Sequence, residues 1–154
     1  MNLPDQLLDK ARHRAMVENL PYAGSVTPAE AFDLLDNDPQ VRLIDVRTNA
    51  ERDWVGKVAI PEAQHFAVQW NLYPGGLPNR QFIEQLAAVA DKETVLLFLC
   101  RSDVRSRHAA KVASETGYRH CFDILEGFEG DRDADGHRKT VTGWCHAGLP
   151  WIGA

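Results

Sequence analysis

The chain has 154 residues, of which 25% are charged and 44% hydrophobic, with a net charge of -5. A chain of this length suits one domain that buries roughly 68–70% of its unfolded surface around a single core. No Lys/Arg block or basic stripe interleaved with aromatics is present, which argues against a nucleic-acid partner and leaves any anion site local.

The N-terminal twenty residues are charged throughout and lack the apolar core of a signal peptide. No later apolar run approaches the ~20 residues of a membrane span, so a cytoplasmic protein with no membrane partner is expected. Leu3, Leu7, Leu8, Ala11, Ala15, Met16 and Leu20 recur at mostly helical intervals, predicting an amphipathic helix that ends before Pro21. Residues 1–23 are therefore expected to form a helical extension packed on a main domain spanning 24–154.

"GSVTPAEAFDLLDNDP" reads as a short strand followed by a helix ending near Asn37, with Thr27 as N-cap, Pro28 at the first helical position and Glu30 closing a capping box. "VRLIDV" is a buried-strand pattern that delivers Asp45 and Arg47 at its end, and "AQHFAV" is a weaker strand. "PGGLPNR" punctuates the chain before Phe82, Ile83, Leu86, Val89 and Ala90 mark a helical face. Next come the apolar strand "TVLLFL", a helix from about Val104 to Thr116 closed by Gly117, and the strand "RHCFDIL". The remaining stretch, rich in loop residues and carrying two tryptophans, is expected to wrap back over the domain. Alternating strands and helices with short connections predict an α/β fold: a mainly parallel five-stranded sheet with helices on both faces.

The three cysteines are widely spaced and form no C-x-x-C pair, which gives neither a disulfide framework nor a zinc pattern. Cys121 and Cys145 are expected to pack or stand idle. Cys100 ends the "TVLLFL" strand in front of a helix, the position where open parallel sheets bind ligands. Amides of residues 101–105 and the helix N-terminus supply positive potential there, which favours a thiolate and an anion; Arg101 and Arg105 add two full charges.

"CRSDVRS" resembles the active-site loop of the rhodanese family, a cysteine, four loop residues, an arginine and then serine or threonine. "LIDVR" with Glu51 beyond it resembles the family's first signature, and "GWCHAGLPW" is similar to the ends of single-domain members, so that the resemblance covers roughly residues 24 to 152. In place of the family's glycine-histidine-isoleucine-proline-glycine-alanine signature the chain has "GKVAIPEA", keeping Pro61 and Ala63, and Asp103 stands where many active members have glycine.

The resemblance implies a single rhodanese-like domain and ping-pong sulfur transfer, with Cys100 as nucleophile and persulfide carrier and with no cofactor or metal. The partners implied are a small anionic sulfur donor such as thiosulfate and a thiol or cyanide acceptor, either of which a protein thiol or persulfide can supply. The backbone from Arg101 through Ser102, Asp103, Val104 and Arg105 would hold the substrate, with Arg101 and Arg105 attracting it. Ser102 and Ser106 would donate hydrogen bonds or cap the helix. Asp45 and Arg47 would lie at the loop base, Asp45 holding backbone or Arg105, while the Asp103 charge would oppose an anionic donor.

Two rivals remain. Related phosphatases and arsenate reductases share the architecture but space cysteine and arginine by five residues, whereas four separate Cys100 from Arg105 here. A rhodanese fold reduced to a binding module is the other, supported by the altered second signature and Asp103. "DRDADG" begins like a calcium loop, but Lys139 and Thr142 fall where its later ligands should stand, so a solvated turn is expected.

Overall fold

The computed structural model describes residues 2–153. In chain order these form α1 (Leu3–Glu18), β1 (Gly24–Val26), α2 (Pro28–Asn37), β2 (Arg42–Asp45), α3 (Asn49–Val55), β3 (Lys57–Val58), a 3-10 turn (Glu62–Gln64), β4 (His65–Ala67), α4 (Phe82–Val89), β5 (Val95–Leu99), α5 (Val104–Glu115), β6 (His120–Ile124) and β7 (Trp151–Ile152). The capping chemistry read at Thr27 is present: its hydroxyl accepts the Glu30 N–H, and the Glu30 carboxylate accepts the Thr27 N–H. A second box opens α3, between Thr48 and Glu51. The "TNAE" spacing carried that signal, but the helix it starts is too short to show periodicity.

β1, β6, β5, β2 and β4 lie side by side in that order, and every neighbouring pair is parallel. Residues of β5 explain why its sequence is apolar without alternation. Leu97 and Leu99 enter a core with Leu8, Leu34, Phe122 and Trp144, while Leu96 and Phe98 enter another with Leu86, Ala110 and Ala113. A strand covered on both faces has no polar side to show. Helices α1 and α2 cover the first face and α4 and α5 the second. No helix of the described residues is long and apolar enough to cross a membrane.

The C-terminal stretch does wrap back: β7 pairs antiparallel with β3, and the buried Trp144 ring donates from Nε1 to Pro150 O at 2.8 Å. Of the predicted α1 stripe only Leu8 and Ala11 are buried, whereas Met16 is 81% exposed. Backbone proximity takes over the role of the missing side chains. A Cβ at Gly24 would stand 2.3 Å from Ala11 O, so α1 presses directly on β1 where glycine leaves room.

Polar contacts tie α1 down as well. Arg14 donates to both Glu30 oxygens, at 2.6 and 3.0 Å, and to Ser25 O at 2.8 Å. Burial works to raise the Glu30 carboxyl, but hydrogen bonds from Arg14, the Thr27 amide and Lys10 outweigh it and pull the carboxyl down to about 2. Since the folded value lies below the ordinary 4.5, this stabilisation is complete above that value and is lost as pH falls from there toward about 2. Glu30→Gln should therefore melt lower than wild type at neutral pH, by about 1 kcal/mol or more for the cap and the ion pair. Thermal melts along an acid series check this; a difference that stays constant through that window would refute it.

Candidate active site around Cys100

β5 delivers Cys100 as the first residue beyond its end, and α5 begins four positions later, so the thiol faces the N-terminus of a twelve-residue helix. The side chain is only 1% exposed. Its sulfur accepts the Asp103 N–H at 3.1 Å, and the thiol donates to Ser106 Oγ at 3.3 Å. Ser106 in turn donates to Asp103 Oδ1 at 3.5 Å. When the sulfur carries negative charge the Ser106 hydroxyl can reverse and donate to it. An amide and a hydroxyl thus converge on a sulfur at a helix N-terminus, a setting with donors for an anionic sulfur species.

The loop is pinned from behind by the segment after β6. Phe128 N–H donates to Cys100 O at 2.8 Å, and the Glu129 and Gly130 amides donate to Arg101 O at 3.0 and 3.1 Å. Gly127 makes this approach possible, because a Cβ there would lie 2.5 Å from the Arg101 carbonyl. Asp103 adopts φ 91°, a left-handed conformation that suits glycine, and so needs side-chain contacts to hold it. It has them: Oδ2 accepts from Arg107 at 2.8 Å.

These contacts correct the expectation for Asp103. Its carboxylate is turned onto Arg107 and Ser106 and is not a bare charge facing an incoming anion. The expectation for Arg105 also changes. Of the two roles expected of Asp45 it takes the backbone one, its Oδ1 accepting the Arg47 N–H at 3.2 Å; Arg105 is held by Glu51 of α3, through two bonds of 2.6 and 2.8 Å, with Asn71 accepting a third at 3.3 Å. Burial works to raise the Glu51 carboxyl, but the Arg105 hydrogen bond and charge outweigh it and hold it below the ordinary value; the same pairing raises Arg105. Asp45 accepts from Arg47 at 3.0 and 2.8 Å and from Arg52 at 3.2 Å, all at the base of β2.

Arg47 is fully buried and acts indirectly on the loop. Its guanidinium donates to Gly56 O and lies 4.4 Å from the Phe128 ring centre, and Phe128 is the residue whose amide holds Cys100. Arg101 is the cation left uncommitted: its Nε is buried and, among the described residues, without a hydrogen-bond partner. Ser102 is half-buried on the loop, and the serine that reaches the sulfur is Ser106, not Ser102. Val104 is 63% exposed at the first turn of α5.

Sequence reasoning passed over Asn71, Gly127 and Asp123. Asn71 and Gly127 act through chain segments distant in sequence and carry no local signal. Asp123 carried one, an ionisable residue inside the apolar strand "HCFDI". Among the described residues, no group of three or more His, Cys, Asp or Glu side chains is arranged to hold a metal ion.

Comparison with known proteins gives a consistent picture. The model of the Rhodanese-like domain matches residues 27–134. The crystal structure of Rv0390 from M. tuberculosis superposes with a TM-score of 0.77 at 39% identity, covering 85% of this chain and 98% of that one. An uncharacterised protein of Rickettsia conorii is 32% identical over 133 residues, 82% of this chain and 95% of the relative. A thiosulfate sulfurtransferase of Haemophilus influenzae is 27% identical over 128 residues, 81% of this chain and 90% of its own.

Proposed function

Because this chain belongs to the rhodanese-like domain family, we propose that it is a sulfurtransferase that carries a sulfane sulfur as a persulfide on Cys100. The observation that carries the reading is the convergence of the Asp103 amide and the Ser106 hydroxyl on the Cys100 sulfur, at 3.1 and 3.3 Å. The Cys100 thiolate attacks the outer sulfur of a donor such as thiosulfate, the donor S–S bond breaks, and sulfite leaves with its electron pair. A thiolate or cyanide acceptor then attacks the terminal sulfur of the persulfide and returns Cys100 as thiolate. Amides of residues 101–105 hold the anionic sulfur, and Arg101, without an ion pair among the described residues, draws the donor in.

Such chemistry needs free thiols, which a reducing cytoplasmic setting maintains; Cys100, Cys121 and Cys145 are all unpaired. The short separation of Cys100 and Arg105, and the engagement of Arg105 by Glu51, both disfavour a phosphate or arsenate pocket, which needs that guanidinium for its oxyanion. The same engagement of Arg105 and the near-complete burial of Cys100 favour one second reading, a catalytically weak module that binds a partner. Intact-protein mass spectrometry after brief exposure of reduced protein to thiosulfate separates the two. A gain of one sulfur atom, reversed by cyanide, supports the transferase; no gain from thiosulfate or from a protein persulfide supports the module.

Asp103→Gly tests the corrected role of that residue. With the carboxylate already paired to Arg107, its removal should leave the KM for thiosulfate unchanged while weakening the loop's hold on the sulfur, so that the loading rate falls by about fivefold, the size of one modest hydrogen bond. Steady-state kinetics over a range of thiosulfate concentrations distinguishes this from electrostatic repulsion, which would show as a lowered KM.

A further inference from the structure

Behind the Cys100 loop, β6 carries a carboxyl group that the sulfur chemistry does not use. Asp123 is wholly buried, and neither of its oxygens accepts a hydrogen bond from any donor among the described residues. The cation within reach is Arg107, whose Nε stands 3.9 Å away and whose Nη2 is already held by Asp103 at 2.8 Å. Arg107 is itself 58% exposed, so its charge is shared with water. The other polar groups facing Asp123 are Asp103, Ser106 and Cys100 around the loop, Tyr22 ahead of β1, and Ser25, its register neighbour on β1, whose hydroxyl is also unpartnered.

Two carboxyl groups in a buried site served by one half-exposed guanidinium do not both stay ionised. Lost hydration and like charge leave a proton on one of them. Asp103 holds the guanidinium, so the proton falls to Asp123. Burial first, and then the neighbouring Asp103 carboxylate, push the Asp123 carboxyl far above the ordinary carboxylate range. Asp103 meanwhile sits in a left-handed conformation that a non-glycine residue keeps only when its surroundings over-determine it.

We propose that Asp123 is a positioning residue for Cys100: its protonated carboxyl donates to Asp103, and that contact keeps the Asp103 amide and, through Ser106, a hydroxyl on the Cys100 sulfur. The inference rests on Cys100 being the reactive thiol but is independent of which sulfur donor it meets. Ionisation of Asp123 in alkali would set two carboxylates against one another and drive Asp103, with its amide, away from the sulfur. The raised Asp123 carboxyl also makes stability depend on pH. A carboxyl whose folded value lies above its unfolded value costs stability increasingly as pH rises between the two, so Asp123→Asn, neutral at every pH, should gain on wild type from acid to neutral conditions.

The test needs no sulfur donor, so it stands apart from the fate of the transferase reading. Infrared difference spectroscopy at neutral pH should show the carbonyl stretch of a protonated carboxylic acid in wild type and not in Asp123→Asn. The band should vanish on alkaline titration. Alkylation of Cys100 by a neutral reagent, followed by mass spectrometry, should run at the wild-type rate in Asp123→Asn, whose amide still donates to Asp103. In Asp123→Leu, which has no donor, it should slow by about fivefold, the loss of one modest hydrogen bond to the sulfur. Absence of the band in wild type, its survival in Asp123→Asn, or an unchanged alkylation rate in folded Asp123→Leu would overturn the proposal. Should Asp123→Leu fail to fold, the infrared comparison alone decides it.

Discussion

Cys100→Ser takes up no sulfur from thiosulfate, while Cys121→Ser and Cys145→Ser load as wild type does: this is the expected result with the largest effect. A serine hydroxyl at position 100 keeps the loop's contacts but is a poor nucleophile and cannot carry sulfane sulfur, so loading should fall by on the order of 10³-fold or more. The other two thiols lie in a different chemical setting. Burial pushes Cys121 up to about 11, and its sulfur contacts the Tyr118 carbonyl within the strand core. Burial pushes Cys145 up to about 11 as well. Both therefore remain protonated and inert at neutral pH. Mass spectrometry of the three variants after thiosulfate exposure checks the assignment, and sulfur retained by Cys100→Ser would sink it.

Gly127→Ala should damage the same chemistry without touching a reacting atom. Gly127 has φ 72°, and a Cβ there would lie 2.5 Å from Arg101 C and O and 2.7 Å from Ser102 N. All three are backbone atoms of the Cys100 loop, so no side chain can swing away to make room. The left-handed conformation and the overpacking should together cost about 2–4 kcal/mol, read as a lowered melting temperature. Where the variant still folds, the loop must shift, and a displacement of about 1 Å at a reacting group costs roughly 10²-fold in rate. Loading at the wild-type rate in folded Gly127→Ala would show that the loop does not depend on this close approach.

Much of the fold was legible because it rests on local patterns. The capping box at Thr27 and the glycine after α5 act within a few residues, and the unbroken apolar run of β5 is contiguous in the chain even though its cause is burial on both faces. Short elements escaped notice for the converse reason. Two-residue β3 exists only because β7 returns from the chain's far end to pair with it, and no window around Lys57 records that. Helix α1 was visible as a periodicity, yet most of its apolar stripe is not what holds it; the Gly24 contact and the Arg14–Glu30 bridge are.

The active site divides in the same way. By itself the sequence determined the thiol, its place between an apolar strand and a helix start, and the four-residue separation from Arg105, because these are facts of chain order. Only the tertiary structure decided how the charges pair: Glu51 takes Arg105, Arg107 takes Asp103, and Asp45 is left to Arg47 and Arg52. Electrostatic partners are chosen by distance and burial, and residues separated by up to 54 positions, as Glu51 and Arg105 are, meet only when a parallel sheet gathers its strand ends on one edge.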